Sequence, residues 1–133
     1  MKKSFSVLSL GGDHIGPEVV EAGLQILQAA ADKAGIEIRL DEDLLGGASW
    51  DVHRRFCPDE VLAKARAADA ILVGSVGGPE WDSIVVDGPV TESDGLTRLR
   101  VELDVYNALR PARAWAPLLH KTPYRPEVVE GAD

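Results

Sequence analysis

Strand-like and helix-like segments alternate along the first half of the chain, and this order constrains the fold more than any other feature. Short apolar runs predict strands at residues 5–10, 36–40 and 70–74, and the last is a continuous apolar run typical of a buried parallel strand. Helical patterns fill the intervals, over residues 16–34 and 58–68. Because this order requires right-handed crossover connections, the sequence predicts an α/β fold with a parallel sheet.

The composition excludes several kinds of partner. The chain has 14 basic and 22 acidic side chains and a net charge of −8 at pH 7. Nucleic acids and anionic membranes attract basic surfaces, so we expect neither as a partner. No apolar run approaches the ~20 residues of a membrane-spanning helix. Cys57 is the only cysteine, which fits a reducing compartment. We therefore predict a soluble, cytoplasmic protein in which Cys57 is a small, partly buried hydrophobe.

The second half of the chain begins with a long irregular stretch. Residues 77–95 are rich in glycine, proline and acidic residues and have no periodicity, which predicts a functional or mobile loop. After this loop, the sequence predicts a helix over residues 95–103, a strand over 109–115 and a short helical turn over 126–129. The last residues, ending at Asp133, read as a helix end leading towards a further strand, so we expect an incomplete domain.

Two arginines near this predicted helix are candidates for anion binding. Arg100 lies beside the leucine stripe of residues 95–103, and Arg110 follows the helix. A guanidinium is rarely placed against a core unless an anion meets it there, because a buried unpaired charge is costly. Two such planar groups suit a small molecule with two carboxylates. Pairing of each arginine with a local acid, Glu102 or Asp104, is an equally good interpretation.

Two glycine-rich segments follow predicted strands, where ligands bind in open α/β sheets. The first, residues 11–18 (GGDHIGPE), lacks the spacing of a Rossmann fingerprint. Its alternative interpretation is a tight turn in which Asp13 bonds the amides of the first helix. The second, residues 74–82 (GSVGGPEWD), offers close backbone approach and the flat face of Trp81, or is an ordinary turn with a packed tryptophan. The acidic residues that follow match no metal-binding loop, so we expect a solvated acidic loop.

Four segments in this order resemble the 3-isopropylmalate dehydrogenase family, which belongs to the metal-dependent, decarboxylating β-hydroxyacid dehydrogenases. They are GGDHIGPEVVEAG (11–23), ILVGSVGGPEWD (71–82), GLTRLRVEL (95–103) and NALRPARAW (107–115). Family members are more than twice as long, so we expect an N-terminal portion. The resemblance implies a partial doubly wound parallel sheet of this family's type, incomplete in this chain. It places residues 1–99 in the first domain, on the cofactor side, and residues 100–133 at the start of the second.

The resemblance also implies a substrate site and part of a cofactor site. Arg100 and Arg110 correspond to the arginines that bind the substrate carboxylates, and Leu96 corresponds to the apolar residue that meets the isopropyl group. The positions that match NAD-contacting segments are Ile15, Gly78, Pro79, Glu80, Trp81, Asp82 and Ser93. The implied substrate is a small dicarboxylate, 3-isopropylmalate in leucine biosynthesis. The implied assembly is a homodimer of complete chains.

Three residues depart from the family pattern. His14 replaces a commoner glycine, Ser93 stands where many members have a glutamate, and Ala108 replaces an asparagine. Glu92 is an alternative source of the missing acid if the register of this loop is shifted, and Asn107 lies one position before Ala108. We expect these departures to affect the fine geometry around the cofactor. His14 is expected in a loop or at the surface and not as a metal ligand.

No residue of this chain is assigned a catalytic role or a metal. The resemblance implies Mg²⁺ or Mn²⁺, a lysine and a tyrosine, but the motifs that carry these groups are expected outside this sequence. Tyr106, Tyr124, Lys121 and Asp104 match no such motif, so we expect no turnover from the 133 residues alone. The alternatives to an enzyme portion are a non-catalytic carboxylate- or nucleotide-binding module and a remnant that assembles with a complementary chain. An incomplete parallel sheet favours such assembly because it exposes strand edges.

Overall fold

The sheet is parallel and has three strands in the part of the chain that is described. The computed structural model describes residues 3–129. Its strands are β1 (Ser4–Leu10), β2 (Glu37–Asp43) and β3 (Ala70–Val73), in the order β2-β1-β3 with both pairings parallel. The chain thus places β2 on one side of β1 and β3 on the other, as in a doubly wound sheet. The predicted fold class is confirmed as a partial sheet of this kind.

Helices and short 3₁₀ segments connect and flank the strands. The α-helices are α1 (Gly16–Ala34), α2 (Gly47–His53), α3 (Asp59–Ala67), α4 (Gly95–Glu102) and α5 (Pro126–Val129), and the 3₁₀ segments span Val90–Ser93 and Ala116–Lys121. α1 has a proline in its first turn and ends at Gly35, whose φ of 65° is left-handed. The domain boundary predicted between residues 99 and 100 falls inside α4 and stays a prediction. Within residues 3–129, no helix combines the length and the apolar character needed to cross a bilayer.

Helices cover both faces of the sheet. Leu8 and Leu10 of β1 pack with buried side chains of α3 and α4 in one core cluster. Successive strand residues point to opposite faces, so Val7 points the other way, towards α1. On that face, a Cβ added to Gly23 of α1 would lie 3.8 Å from Leu72 of β3. Right-handed crossover connections to a strand on either side of β1 place their helices on opposite faces of the sheet, as observed here.

The two edge strands differ in chemistry. β2 (EIRLDED) carries charged residues along its length and is largely exposed, and such charges discourage pairing with a further strand. β3 (AILV) is apolar and mostly half-buried, and among the described strands it pairs only with β1. The β3 edge therefore has the composition of an interior strand.

Some predictions of secondary structure are wrong. Residues 47–53 form α2, where the sequence predicts no helix, and β2 continues past residue 40 because β1 offers ladder partners as far as Leu10. The predicted strand over residues 109–115 is absent, since residues 105–115 adopt no regular secondary structure. No described strand lies alongside this segment to form a ladder, and Pro111 has no N–H to donate to one.

Candidate functional site

The carboxyl ends of β1 and β3 form the crevice where ligands bind in open α/β sheets. β1 connects through α1 to a strand on one side, whereas β3 is reached through α3 and lies on the other side. This is the topological switch point of the sheet. The two glycine-rich segments, residues 11–18 and 74–82, both lie at this point. They are joined by a backbone hydrogen bond of 2.6 Å, which the amide of Asp13 donates to the carbonyl of Ser75.

Asp13 is buried beneath the crevice, and its carboxylate accepts three hydrogen bonds. Oδ1 accepts from the amide of Ala48 at 2.7 Å, and Oδ2 accepts from the amides of Gly47 at 3.0 Å and Gly77 at 2.7 Å. The sequence-based turn interpretation holds for the backbone of Asp13, whose carbonyl accepts from the amide of Gly16 at the start of α1 at 2.8 Å. Its side chain, in contrast, bonds the start of α2. These bonds tie together the segments that follow all three strands.

Trp81 and His14 add side-chain contacts between the same segments. The indole of Trp81 lies so close to Gly47 that an added Cβ would overlap it, and its Nε1 donates to Asp51 of α2 at 3.2 Å. The imidazole centroid of His14 is 5.4 Å from that of the Trp81 ring, and its Nε2 is 3.3 Å from Oε2 of Glu80. His14 has a φ of 52°, a left-handed conformation that glycine adopts more readily. The departure at His14 thus adds a contact across the crevice loops.

A cleft of about 400 Å³, here called the crevice cleft, opens between the loop after β3 and the start of α4. Four of the seven predicted cofactor-contacting residues line it, namely Gly78, Trp81, Asp82 and Ser93. Pro79 and Glu80 lie exposed on the same loop, and Ile15 is 51% exposed just before α1. The hydroxyl of Ser93 accepts from the amide of Val86 at 2.9 Å, which closes this loop on itself. The structure thus brings four of these residues to one cleft, whereas Ile15 does not line it.

Arg100 and Arg110 line a second, open cleft of about 630 Å³, here called the arginine cleft, together with residues 105–109. Both arginines are exposed, so Arg100 lies at the surface beside the leucine stripe and not against the core as predicted. Neither guanidinium forms an ion pair with a carboxylate in residues 3–129, and Glu102 pairs instead with Arg66 at 2.6 Å. The interpretation that Glu102 or Asp104 pairs with these arginines is therefore wrong. Arg100 does lie within electrostatic reach of Asp94, where burial is outweighed by hydrogen bonds from Thr97 and by the charge of Arg100, which lower the pKa of that carboxyl. Two unpaired guanidinium groups on one cleft form a candidate carboxylate site.

The other residues predicted around the substrate are divided between two places. Ala108, one of the departures from the family pattern, lines the arginine cleft. Leu96 does not line it, because its half-buried side chain packs against the core cluster. The structure therefore does not bring Leu96 to the two arginines, and its contact with substrate stays a prediction.

Arg98 is absent from the sequence-based candidates and yet anchors the helix that joins the two clefts. Its side chain is 13% exposed, donates at 2.6 Å both to the carbonyl of Cys57 and to Asp59, and places Nε 3.3 Å from Glu92. Glu92 thus pairs with Arg98, and its role as the alternative acid of this loop stays a prediction. Hydrogen bonds from Arg98 and Arg55 hold the pKa of Asp59 below its usual value. No local spacing reveals this anchor, because Asp59 lies 39 residues before Arg98.

Neither the cysteine nor the acidic loop forms a metal-binding centre in the described part of the chain. Cys57 is 1% exposed, and burial raises the pKa of its thiol to about 11. Asp94 caps α4 by accepting from the amide of Thr97 at 3.0 Å and from its hydroxyl at 2.6 Å. Residues 3–129 contain no group of three or more His, Cys, Asp or Glu side chains placed to hold a metal ion. Cys57 is thus a buried hydrophobe, more fully buried than predicted.

Comparison with known proteins agrees with this architecture. A family model described as isocitrate/isopropylmalate dehydrogenase matches residues 6–133. The 3-isopropylmalate dehydrogenases of Aquifex aeolicus and Chromohalobacter salexigens are 41% and 44% identical to the chain over 98% of its length. The chain covers 35% and 36% of them, so it spans about a third of the length of these curated relatives.

The fold also matches that of a solved structure. The apo crystal structure of a beta-decarboxylating dehydrogenase from Thermococcus kodakarensis superposes with a TM-score of 0.56. The match covers 75% of this chain and 27% of that chain, at 24% sequence identity. Because the family model matches almost the entire sequence, the chain belongs to the isocitrate/isopropylmalate dehydrogenase family.

Proposed function

We propose that this chain is the N-terminal part of an NAD-dependent and metal-dependent enzyme that oxidatively decarboxylates 3-isopropylmalate in leucine biosynthesis. The observation that carries the proposal is the arginine cleft, in which neither Arg100 nor Arg110 forms an ion pair with a described acid. 3-Isopropylmalate has two carboxylates, and a guanidinium binds a carboxylate through two parallel hydrogen bonds. The named relatives are 3-isopropylmalate dehydrogenases, which supports this substrate over other dicarboxylates.

The crevice cleft suits a dinucleotide. Bound NAD⁺ would accept a hydride from the substrate, and the role of this chain would be to hold and orient it. We propose that Ile15, residues 78–82 and Ser93 contact the dinucleotide, with Trp81 offering a flat apolar face. The start of α4 lines the crevice cleft, and Arg100 near the end of α4 lines the arginine cleft. This one helix would therefore set the distance between the two proposed binding sites.

The remaining parts of the reaction are proposed to come from elsewhere in the enzyme. The described residues offer no cluster that fits Mg²⁺ or Mn²⁺, so we assign no metal ligand and no metal-dependent step to this chain. No catalytic residue is assigned either, and the 133 residues alone are proposed to give no turnover. Contact of Leu96 with the isopropyl group, a homodimer of complete chains and a cytoplasmic location belong to the same proposal.

Calorimetric titration of the chain with 3-isopropylmalate and with NAD⁺ tests this function. Both ligands are expected to bind, and Arg100→Gln and Arg110→Gln should each weaken 3-isopropylmalate binding by about tenfold or more, because a charge-assisted bidentate contact is lost. Arg39→Gln is the matched control, since Arg39 lies exposed on the edge strand β2. No heat of binding at millimolar 3-isopropylmalate, or equal weakening by Arg39→Gln, would contradict the proposed carboxylate site.

A second candidate function is assembly with a complementary chain, and the β3 edge favours it. β3 is apolar and, among the described strands, has a partner on one side only. An uncovered apolar edge of this kind attracts a further strand. Sedimentation of the purified chain, together with its intact mass from the natural source, tests this candidate. A monomer with a well-dispersed amide spectrum would rule out the need for a partner.

A further inference from the structure

We infer that Asp13 is a positioning residue for the dinucleotide site: its buried carboxylate fixes the loop after β3 against the start of α2, so that the crevice cleft has a defined wall. The inference rests on the proposed function, because residues 77–82 of this loop include the segment proposed to contact NAD⁺. It concerns a residue that touches neither the proposed substrate nor the proposed cofactor.

The carboxylate joins segments that are far apart in the sequence. Gly47 and Ala48 lie 34 and 35 residues after Asp13, and Gly77 lies 64 residues after it, yet the amides of all three donate to one side chain. Further along the loop, Nε1 of Trp81 donates a hydrogen bond directly to Asp51 of α2. Asp13 therefore fixes the base of the loop, and Trp81 fixes the part nearer its tip.

The niche around Asp13 suits an ionised carboxylate and no other side chain of this size. All three groups bonded to its oxygens are backbone N–H donors, and a carboxylate only accepts hydrogen bonds. An asparagine would place an NH₂ donor against at least one of these N–H donors, so that hydrogen bond would be lost. The space is also closed, because a Cβ added to Gly46 would lie 2.5 Å from Oδ2. A carboxylate that is 2% exposed is costly to bury unless such charge-assisted hydrogen bonds compensate it.

Asp13 acts on the site through the backbone it holds. Gly47 and Gly77, which donate to it, and Gly46, which lies against it, all line the crevice cleft, while Asp13 itself does not. The carboxylate thus stands behind the wall of the cleft and sets the positions of three glycines. This is why its effect on ligand binding is expected to be indirect, through the placement of Gly78 and Trp81.

Asp13→Asn tests the inference on the chain as it exists, with Asp32→Asn as the matched control. Asp32 is an exposed carboxylate on α1 that accepts from Gln28 at 2.7 Å, so the same chemical change is made away from the site. In Asp13→Asn, amide exchange at Gly77 should accelerate by about tenfold or more, because a hydrogen bond to a charged group is lost. Exchange in the middle of α1 should stay unchanged, and the Kd for NAD⁺ should rise by about tenfold.

Two results would overturn the inference: unchanged exchange at Gly77 in Asp13→Asn, or unchanged NAD⁺ affinity although that exchange accelerates. If the variant does not fold, the unmodified chain provides the test. The Gly77 amide donates to Asp13, whereas the Gly78 amide donates no hydrogen bond to a described residue. After correction for intrinsic rates, Gly77 should exchange at least about tenfold more slowly than Gly78, and equal rates would overturn the inference. Absence of NAD⁺ binding by the unmodified chain would instead overturn the proposed function.

Discussion

The crevice cleft and the arginine cleft lie at opposite ends of α4 and are built in different ways. The loops of the crevice cleft are tied together by three hydrogen bonds to the buried Asp13 and by the packing of Trp81 on Gly47. The arginine cleft is lined by Arg100 of α4 and by exposed residues of an irregular segment, and neither of its arginines forms an ion pair with a described acid. The described residues hold the walls of the crevice cleft in place, whereas they supply no ion pair to either arginine of the arginine cleft.

The largest expected effect is a loss of catalytic activity on substitution of Arg100 in the arginine cleft. In the complete enzyme, Arg100→Lys should cost about 1–3 kcal/mol of transition-state stabilisation, because lysine cannot reproduce the planar fork of a guanidinium. The free energy of unfolding should change by less than about 0.5 kcal/mol, since the side chain is exposed and unpaired. Steady-state kinetics with 3-isopropylmalate measures the first quantity. An unchanged kcat/KM would show that Arg100 is an ordinary surface cation.

A smaller effect, this time on stability, is expected in the crevice cleft. Gly47→Ala places a Cβ against the indole of Trp81, and the resulting displacement should lower the free energy of unfolding by about 1 kcal/mol after the better helix propensity of alanine is allowed for. Gly23→Ala in α1 is the control, because its Cβ would make only an ordinary contact with Leu72. Urea denaturation should show the control to be equal to or more stable than the unmodified chain. Equal stability of both variants would mean that Trp81 does not pack firmly on α2.

The smallest expected effect concerns Arg98 and Asp59, which hold α4 between the two clefts. Because hydrogen bonds from Arg98 and Arg55 lower the pKa of Asp59, the folded chain releases this proton more readily than the unfolded chain. The resulting stabilisation is complete above the pKa of about 4 in the unfolded chain and is lost as the pH falls below it. The difference in stability between the unmodified chain and Asp59→Asn should therefore narrow below about pH 4. Urea titrations at several pH values test this, and a constant difference would contradict it.

The parts of the fold that follow from local pattern could be predicted from the sequence. α1 has a proline in its first turn, an apolar face and a terminal glycine, and β3 is a short apolar run, so both were accessible to pattern analysis. α2 was not, because its first amides are capped by Asp13, which lies 34 residues earlier. The predicted strand over residues 109–115 failed for the opposite reason, since a strand-like sequence forms no strand without a partner alongside.

The candidate site shows the same division. The two glycine-rich segments and the two arginines carry local sequence signals. In the structure, a backbone hydrogen bond joins the two segments, and both arginines line the arginine cleft. The partner of a charged residue carries no such signal: Arg98 pairs with Asp59 across 39 residues, while Arg100, two positions later, pairs with no described acid. Which arginine is anchored and which is free depends on the packing of α4 on α3, and that is a property of the tertiary structure.

The burial of Cys57 has a practical consequence for chemical labelling. A thiol reacts as the thiolate, and this one has both a pKa raised to about 11 and almost no contact with solvent. Maleimide probes should therefore leave the native chain unmodified. A cysteine introduced at Val85, which is 85% exposed beside the crevice cleft, would then take up a fluorophore alone and report on that loop without removal of the native thiol.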